Sequence, residues 1–417
     1  MVLQKKENLV TVLEVVAGGP SDRSGAIFPG DQVVGVAQGQ GQPMTEVIGW
    51  RLDDVVELLR GAPGSQVVVD VLPQGAARGS TPRRVPLTRA KVALEDQRAK
   101  GHVELIEHGA IAYRIGVITV PTFYQDFAAR KAGAKDYQSM TRDVAAVLAQ
   151  MKAEKADAIL LDMRGNGGGS LIEAVDLAGL FLPGVPVVQQ VSNERKVRVE
   201  TAPQGVPAWD GPLAVLIDRG AAAATEITAA AIQDYGRGLV MGDISYGRGS
   251  VQTIVGLDRF STDPMKRFGD LKLTIAVLCR ANGKPIQRAG VTPDIVVPGR
   301  IDVTGKANAD HFAGAACQPQ DIPQRAGLDA LLPTLASLHA DRMQANRPYQ
   351  AQLARRARDE ALLSSDEVTL NEAERRRTPD ARPDGDIAQL QLAEALRVLS
   401  DEVDLIRKRS GSAAGKP

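Results

Sequence analysis

At 417 residues the chain has room for about two to four domains of roughly 100–200 residues each. Hydrophobic residues at 44% and charged residues at 24% exclude wholesale disorder and collagen-like repeats. With 50 basic and 50 acidic side chains there is no net field to draw nucleic acid or an anionic membrane, and 4% aromatics leaves little for base stacking.

The first ninety residues read as a small β-rich domain, 1–90. Val10–Val16, Gln32–Ala37, Gln66–Leu72 and Arg84–Leu87 are Val-rich runs broken by Gly, Pro and Asp, as strands are. Between them Asp53–Leu59 has acids at its start and Gly61 past its end, the polarity of a short helix. The phrase GGP…AIFPGDQVVGV resembles a PDZ domain, a fold that takes a peptide C-terminus as an added strand. Lys91–Gly109 is charged and reads as a connector.

From Ile111 the pattern changes. Ile115–Val120, Ala158–Met163, Leu213–Ile217 and Leu239–Gly242 are strands buried on both faces. They alternate with helices at Tyr137–Glu154, Leu171–Leu182 and Thr225–Tyr235. That alternation predicts an α/β layer domain over 91–299, with Val251–Leu257 and Leu271–Cys279 as further strands and Asn282-Gly283 as a tight turn. After residue 300 the strand signal ends. Leu328–His339, Tyr349–Leu362 and Ile387–Arg407 predict a helical region, with a polar linker at Thr378–Gly385 and a frayed tail at Gly411–Pro417.

Two segments carry chemistry. Leu160–Ser170 (LLDMRGNGGGS) runs a buried strand into a Gly-rich turn and a helix start, where backbone N–H groups can face a phosphate or a developing oxyanion. It is neither a Walker loop nor a GxGxxG fingerprint, and taken alone a simple turn explains it. The second is AAAATEI at 221–227, then QDYG at 233–236 and SYGRGSVQ at 245–252.

In this order, with GVTPDIVVP at 290–298, these pieces resemble the carboxy-terminal processing (tail-specific) proteases across about Val2–Ile406. The resemblance implies a crotonase-like α/β core and a PDZ domain that delivers polypeptide C-termini. It also implies an adaptor protein as partner and a serine nucleophile served by a lysine base. The nucleophile falls on Ala223 and the base on Arg248, at the family's spacing. Gln252 takes the place of the glutamine that orients the lysine, Asp234 that of the QD aspartate, and Gly167, Gly168 and Ala224 those of the oxyanion donors.

Alanine has no atom that attacks a carbonyl, and a guanidinium stays protonated and cannot act as base. The expected reading is therefore a homologue that recognises apolar C-termini without cutting. An active enzyme with another nucleophile (Thr225, Ser245 or Ser250) and a plain PDZ peptide-binding module are the alternatives. Thr225 lies two helical positions on from Ala223, turned about 200° away.

The expected localisation is divided. MVLQKKENLV lacks the order of a secretory leader, so read alone it implies cytoplasm, whereas the family implies periplasm. The family's loop before the "VLQ" strand is missing here, which implies impaired peptide capture. No apolar run reaches the roughly 18 residues of a spanning helix. Cys279 and Cys317 read as small core residues. No cofactor is expected, and His102, His108, His311 and His339 have no ligand spacing, so no metal is either. Trp50 and Trp209 read as packing or loop residues. The Arg355–Arg358 and Arg375–Arg377 clusters read as solvated helix faces.

Overall fold

A computed structural model describes the chain except residues 7, 17–18, 74–75, 77–79, 91–97, 109–110, 261–267, 300–316, 321, 323–326, 365–386 and 414–417. The linker at 378–385, the Arg375–Arg377 cluster and the last residues of the tail lie outside the described residues.

Two compact units result, Met1–Gln97 and Arg98–Pro417. In the first, β1 (Val2–Lys6), β2 (Leu9–Glu14), β3 (Gln32–Ala37), β5 (Gln66–Leu72) and β6 (Arg83–Thr88) form a sheet in the order β1-β2-β3-β5-β6, with β4 (Thr45–Glu46) on β3. Helix α1 (Pro20–Ser24) stops at Gly25, whose φ of +59° is open to glycine without strain. Helix α2 (Leu52–Leu59) has Asp53 and Asp54 in its first turn, where the helix dipole favours acids. It seats Val55 in a core made almost wholly of valine, among them Val33, Val36, Val69 and Val71.

The second unit is built on a sheet in the order β16-β13-β12-β9-β8-β7. Its strands are β7 (Lys100–His108), β8 (Ile111–Thr119), β9 (Ala158–Asp162), β12 (Leu213–Ile217), β13 (Leu239–Gly242) and β16 (Ile295–Val296). All neighbours are parallel except β7 and β8. Successive residues of each strand serve opposite faces. Ile159 and Leu161 of β9 pack with α5 (Leu171–Gly179) and α6 (Ala224–Asp234); Ala158 and Leu160 pack with the C-terminal helices. Helix α4 (Met140–Ala153), preceded by the short α3 (Phe127–Lys131), completes the first layer through Met140, Val144, Leu148 and Met151. A second, antiparallel sheet has the order β11-β10-β15-β14, from β10 (Pro186–Ser192), β11 (Val197–Thr201), β14 (Ser250–Gly256) and β15 (Asp270–Arg280).

The α/β core with a helical C-terminal region is the architecture expected, with four corrections. The charged stretch 91–109 is not all connector, because β7 pairs with β8 over nine residues; it is an edge strand whose exposed charges hide its strand character. The region after 300 is not a unit of its own. Helices α7 (Leu332–Ala345), α8 (Arg347–Ser364) and α9 (Ile387–Ala413) cover the other sheet face, with Leu335, Tyr349, Leu396 and Leu399 against Ile115, Leu160 and Leu216. Arg356 does not lie on a solvated face, since its Nη1 meets buried Asp243 at 2.5 Å. The fourth is the cysteines. Cys279 and Cys317 form a disulfide, tying β15 to a strand-side segment whose Gln318 backbone both donates to and accepts from the Gln189 side chain.

Trp209 is buried with its Nε1 donating to Pro212 O, a packing role, whereas Trp50 is 39% exposed. Closing 38 residues of chain, the disulfide constrains the unfolded state. Reduction, or serine at both positions, is expected to lower stability by about 4 kcal/mol. Urea melts with and without dithiothreitol measure it, and equal midpoints would argue against the bond.

Candidate active site

Strand β9 ends at Asp162, and Arg164 folds back onto it, Nε donating at 2.8 Å and Nη2 at 2.6 Å. The same guanidinium reaches Ala388 O on α9. The Gly-rich turn follows. Asn166 is wholly buried: its Nδ2 donates to Val120 O at 2.7 Å, and its Oδ1 accepts from Gly168 N at 2.9 Å. Its carbonyl accepts from Ala222 N and from Thr225 Oγ1. One asparagine thus ties the end of β8, the glycine turn and the start of α6. Gly168 has φ +104°, and a Cβ there would lie 2.9 Å from Ala222 O and 3.0 Å from Ala223 Cβ. Only glycine allows that approach.

Strand β12 leads into the second half. The half-buried Asp218 Oδ1 accepts from Gly165, Gly220 and Ala221 N–H groups; desolvation pushes its carboxyl up, and those donors oppose the shift. Ala223 then adopts φ +53°, ψ −108°, a conformation that costs a non-glycine residue on the order of 1–3 kcal/mol. A turn of this kind between a strand and a helix presents the side chain at its apex. Ala224, the first residue of α6, carries one of the N–H groups that a helix start leaves without an intrahelical acceptor.

Glu226 holds the parts together. It is buried, and its Oε2 accepts from Ala223 N at 2.8 Å and Arg248 N at 2.9 Å. Its Oε1 accepts from Gly247 N at 2.6 Å and Ser245 Oγ at 2.5 Å. The amides of Ala223 and Arg248 share one oxygen, so their nitrogens lie under about 6 Å apart. Burial raises the Glu226 carboxyl above its ordinary value, against the pull of these four donors. The Arg248 side chain is exposed and stacks over Tyr246, 4.9 Å from the ring centroid.

Of the residues singled out from sequence, the structure brings together Ala223, Ala224, Gly168 and the backbone of Arg248, with Gly167 in the adjoining turn. The Gly168 amide is taken by Asn166, which leaves Gly167 and Ala224 as the candidate donors. Gln252 is exposed on β14, and its amide faces Thr274 Oγ1 at 3.4 Å. Asp234 is not brought to the cluster. It lies at the far end of α6, about 15 Å away at 1.5 Å per residue, paired with Arg280 at 2.5 Å and bonded by Asn282. Thr225 is wholly buried and donates to Asn166 O; Ser245 is buried, donates to Glu226 and accepts from Val291 N. Neither hydroxyl is available for attack. Among the described residues no group of three or more His, Cys, Asp or Glu could hold a metal ion.

Glu226, Asn166 and Asp218 were not singled out from sequence. The first had a local signal: Ser/Thr-x-x-Glu marks a capping box, and alanine at 223 removes the hydroxyl while leaving the glutamate half. Asn166 and Asp218 act through tertiary contacts that no local pattern announces.

These features make an α/β protein with a strained strand-to-helix turn facing a glycine turn. The sequence model of Peptidase family S41 matches residues 114–297, which span both turns and β9 to β16. The chain belongs to this family, and the curated relatives it matches are tail-specific and C-terminal processing proteases. It is 37% identical over 300 residues to the tail-specific protease of Haemophilus influenzae, covering 72% of this chain and 40% of that one. To the carboxyl-terminal-processing protease of Synechocystis it is 26% identical over 337 residues, 81% of this chain and 68% of that one. A solved PDZ domain of the carboxy-terminal protease from Vibrio cholerae, in complex with peptide, is 40% identical; the match covers 22% of this chain and 92% of that one, with a TM-score of 0.21. The chain spans from 40% to about two thirds of the length of the curated relatives it matches.

Proposed function

We propose that this chain binds polypeptide C-termini as a tail-specific protease does, without hydrolysing them. The observation that carries the reading is Ala223 itself. The strained turn, the glycine approach and the Glu226 clamp are intact around a side chain that has no nucleophile, and Arg248 in the clamped loop supplies no neutral base. Thr225 and Ser245 are spent in buried hydrogen bonds, which argues against either as a substitute nucleophile, and Ser250, half-buried at the start of β14, has only the protonated Arg248 nearby in sequence as a base.

Peptide binding falls to the first unit, read as PDZ-like. An apolar groove of about 670 Å³ runs between the open edge of β1 and α2, lined by Leu3, Val56, Leu59, Val67 and Leu87. An extended peptide adding to β1 would place apolar side chains there, which supports a preference for apolar C-termini. The disulfide supports an oxidising compartment such as the periplasm over the cytoplasm. Among the described residues no helix is long and apolar enough to cross a membrane.

Back-substitution tests the reading. Ala223→Ser alone is expected to stay inactive on peptides with apolar C-termini. Ala223→Ser with Arg248→Lys is expected to raise cleavage at least about a thousandfold above the unmodified chain. Cleavage by the unmodified chain that Gln252→Ala abolishes would overturn it.

A further inference from the structure

The apolar sheet face that carries the C-terminal helices ends in carboxylates. On β9 the residues packed against those helices are Ala158 and Leu160, and the next at the two-residue spacing is Asp162. On β12 they are Ala214 and Leu216, followed by Asp218; on β13 they are Leu239 and Met241, followed by Asp243. The three strands are parallel, so their C-terminal ends lie side by side, Asp162 against Leu216 and Ile217 against Gly242. From that edge leave the glycine turn, the turn that carries Ala223 and the loop that carries Arg248. Asp162 and Asp243 are buried, at 8% and 4% exposure. A carboxylate there is costlier than one more leucine, unless charges and hydrogen bonds compensate it.

The compensating groups belong to the C-terminal helices or reach them. Asp243 Oδ2 meets Arg356 of α8 at 2.5 Å and Arg219, in the turn that carries Ala223, at 3.5 Å. Its Oδ1 accepts from Ile244 N at 2.9 Å. Asp162 is held by Arg164, whose Nη1 donates to Ala388 O and, at 3.3 Å, to Gln391 Oε1 of α9. Gln391 in turn donates to Val297 O at 2.7 Å, just past β16. Asp218 accepts from Gly165 N and so joins the glycine turn to the Ala223 turn. Each turn is thus tied to α8 or α9, or to a neighbour that is. We propose that α8 and α9 set the relative placement of these turns, with Arg356 and Arg164 as positioning residues. Charge-assisted hydrogen bonds fix direction and register, which apolar packing against a sheet face does less sharply. The consequence is a site whose turns loosen when these ties are cut, while the sheet beneath stays folded. The inference concerns the placement of the turns and is independent of whether the chain cleaves a peptide.

Amide hydrogen exchange in the full chain tests this. The reporters are the Gly247 and Arg248 amides, which donate to Glu226, and the Gly168 amide, which donates to Asn166. Val215, in the middle of β12, reports unfolding of the sheet. Arg356→Met is expected to speed exchange at Gly247 and Arg248 at least about tenfold more than at Val215, and Arg164→Met to do the same at Gly168. Leu399→Ala removes apolar contact from the same helix layer and leaves both arginines in place, so it should speed the turn amides no more than Val215. Asp243→Asn, close in shape to the parent, should also speed Gly247 and Arg248. Adding Arg356→Met to it should change them by less than about threefold, because the two act through one contact. Turn amides that quicken only in step with Val215 in both arginine variants would overturn the proposal, and so would effects of Asp243→Asn and Arg356→Met that multiply. If an arginine variant fails to fold, Asp243→Asn alone decides: turn amides no faster than Val215 would sink the idea. No readout involves a peptide, so the outcome is separate from that of the back-substitution test.

Discussion

Glu226→Ala is expected to destabilise the second unit by about 4 kcal/mol and to free the 245–248 loop. The carboxylate accepts four hydrogen bonds in a buried setting, from three backbone amides and one hydroxyl. Removing the acceptor strands those donors at roughly 1–3 kcal/mol each, reduced where water enters the space left behind. Ala223 should then relax from φ +53°, because the amide that fixes it has lost its partner. Glu226→Gln should recover less than half, since its NH₂ would face an amide donor on one side. Denaturant melts give the stability. Amide exchange at Gly247 and Arg248 gives the local effect, expected to rise in the variant well before global unfolding. A variant that melts like the parent, with protected loop amides, would show that the clamp is incidental.

The clamp also explains how far the sequence reached. Buried strands such as β9 and β12 announce themselves through unbroken apolar runs, and α5 and α6 through the Gly and Ala turns that precede them. Ala223 and Arg248 were singled out because two motifs keep a fixed separation, and in the structure their amides donate to one Glu226 oxygen. What escaped depends on contacts distant in sequence. β7 is a charged edge strand whose partner β8, not its own composition, makes it a strand. The Cys279–Cys317 bond requires two segments to meet, which no count of cysteines predicts. Asp234 looked like part of the cluster because it follows in the same motif, yet eleven helical residues carry it to the other end of α6 and into an ion pair with Arg280. Leu271 and Leu273 read in sequence as part of an ordinary buried strand, yet β10 stops pairing at Ala276 and both side chains are exposed.

The C-terminal helix contributes a second large effect, this one dependent on pH. Glu402 on α9 is 4% exposed, and its Oε2 has no hydrogen-bond partner among the described residues. Burial pushes its carboxyl up to about 8, with the Arg237 guanidinium opposing only weakly. An acid with a raised pKa holds in the folded state a proton that the unfolded chain releases near its ordinary value of 4.5. Between about pH 4.5 and 8 the unfolded state therefore binds fewer protons, and stability falls as pH rises. At about 1.4 kcal/mol per unit the loss is on the order of 3 kcal/mol by pH 7 and about 5 kcal/mol above pH 8. Asp218, Asp234, Asp294 and Glu226 are also raised by burial and slope the same way, so the parent alone does not isolate Glu402. Glu402→Gln does, because the amide keeps the shape and cannot ionise. Urea melts of both proteins should differ by a constant near pH 4.5, with the variant gaining steadily on the parent up to pH 8 and no further beyond it. A difference that stays flat across that range would mean that Glu402 is ionised in the folded protein and reaches a partner or water.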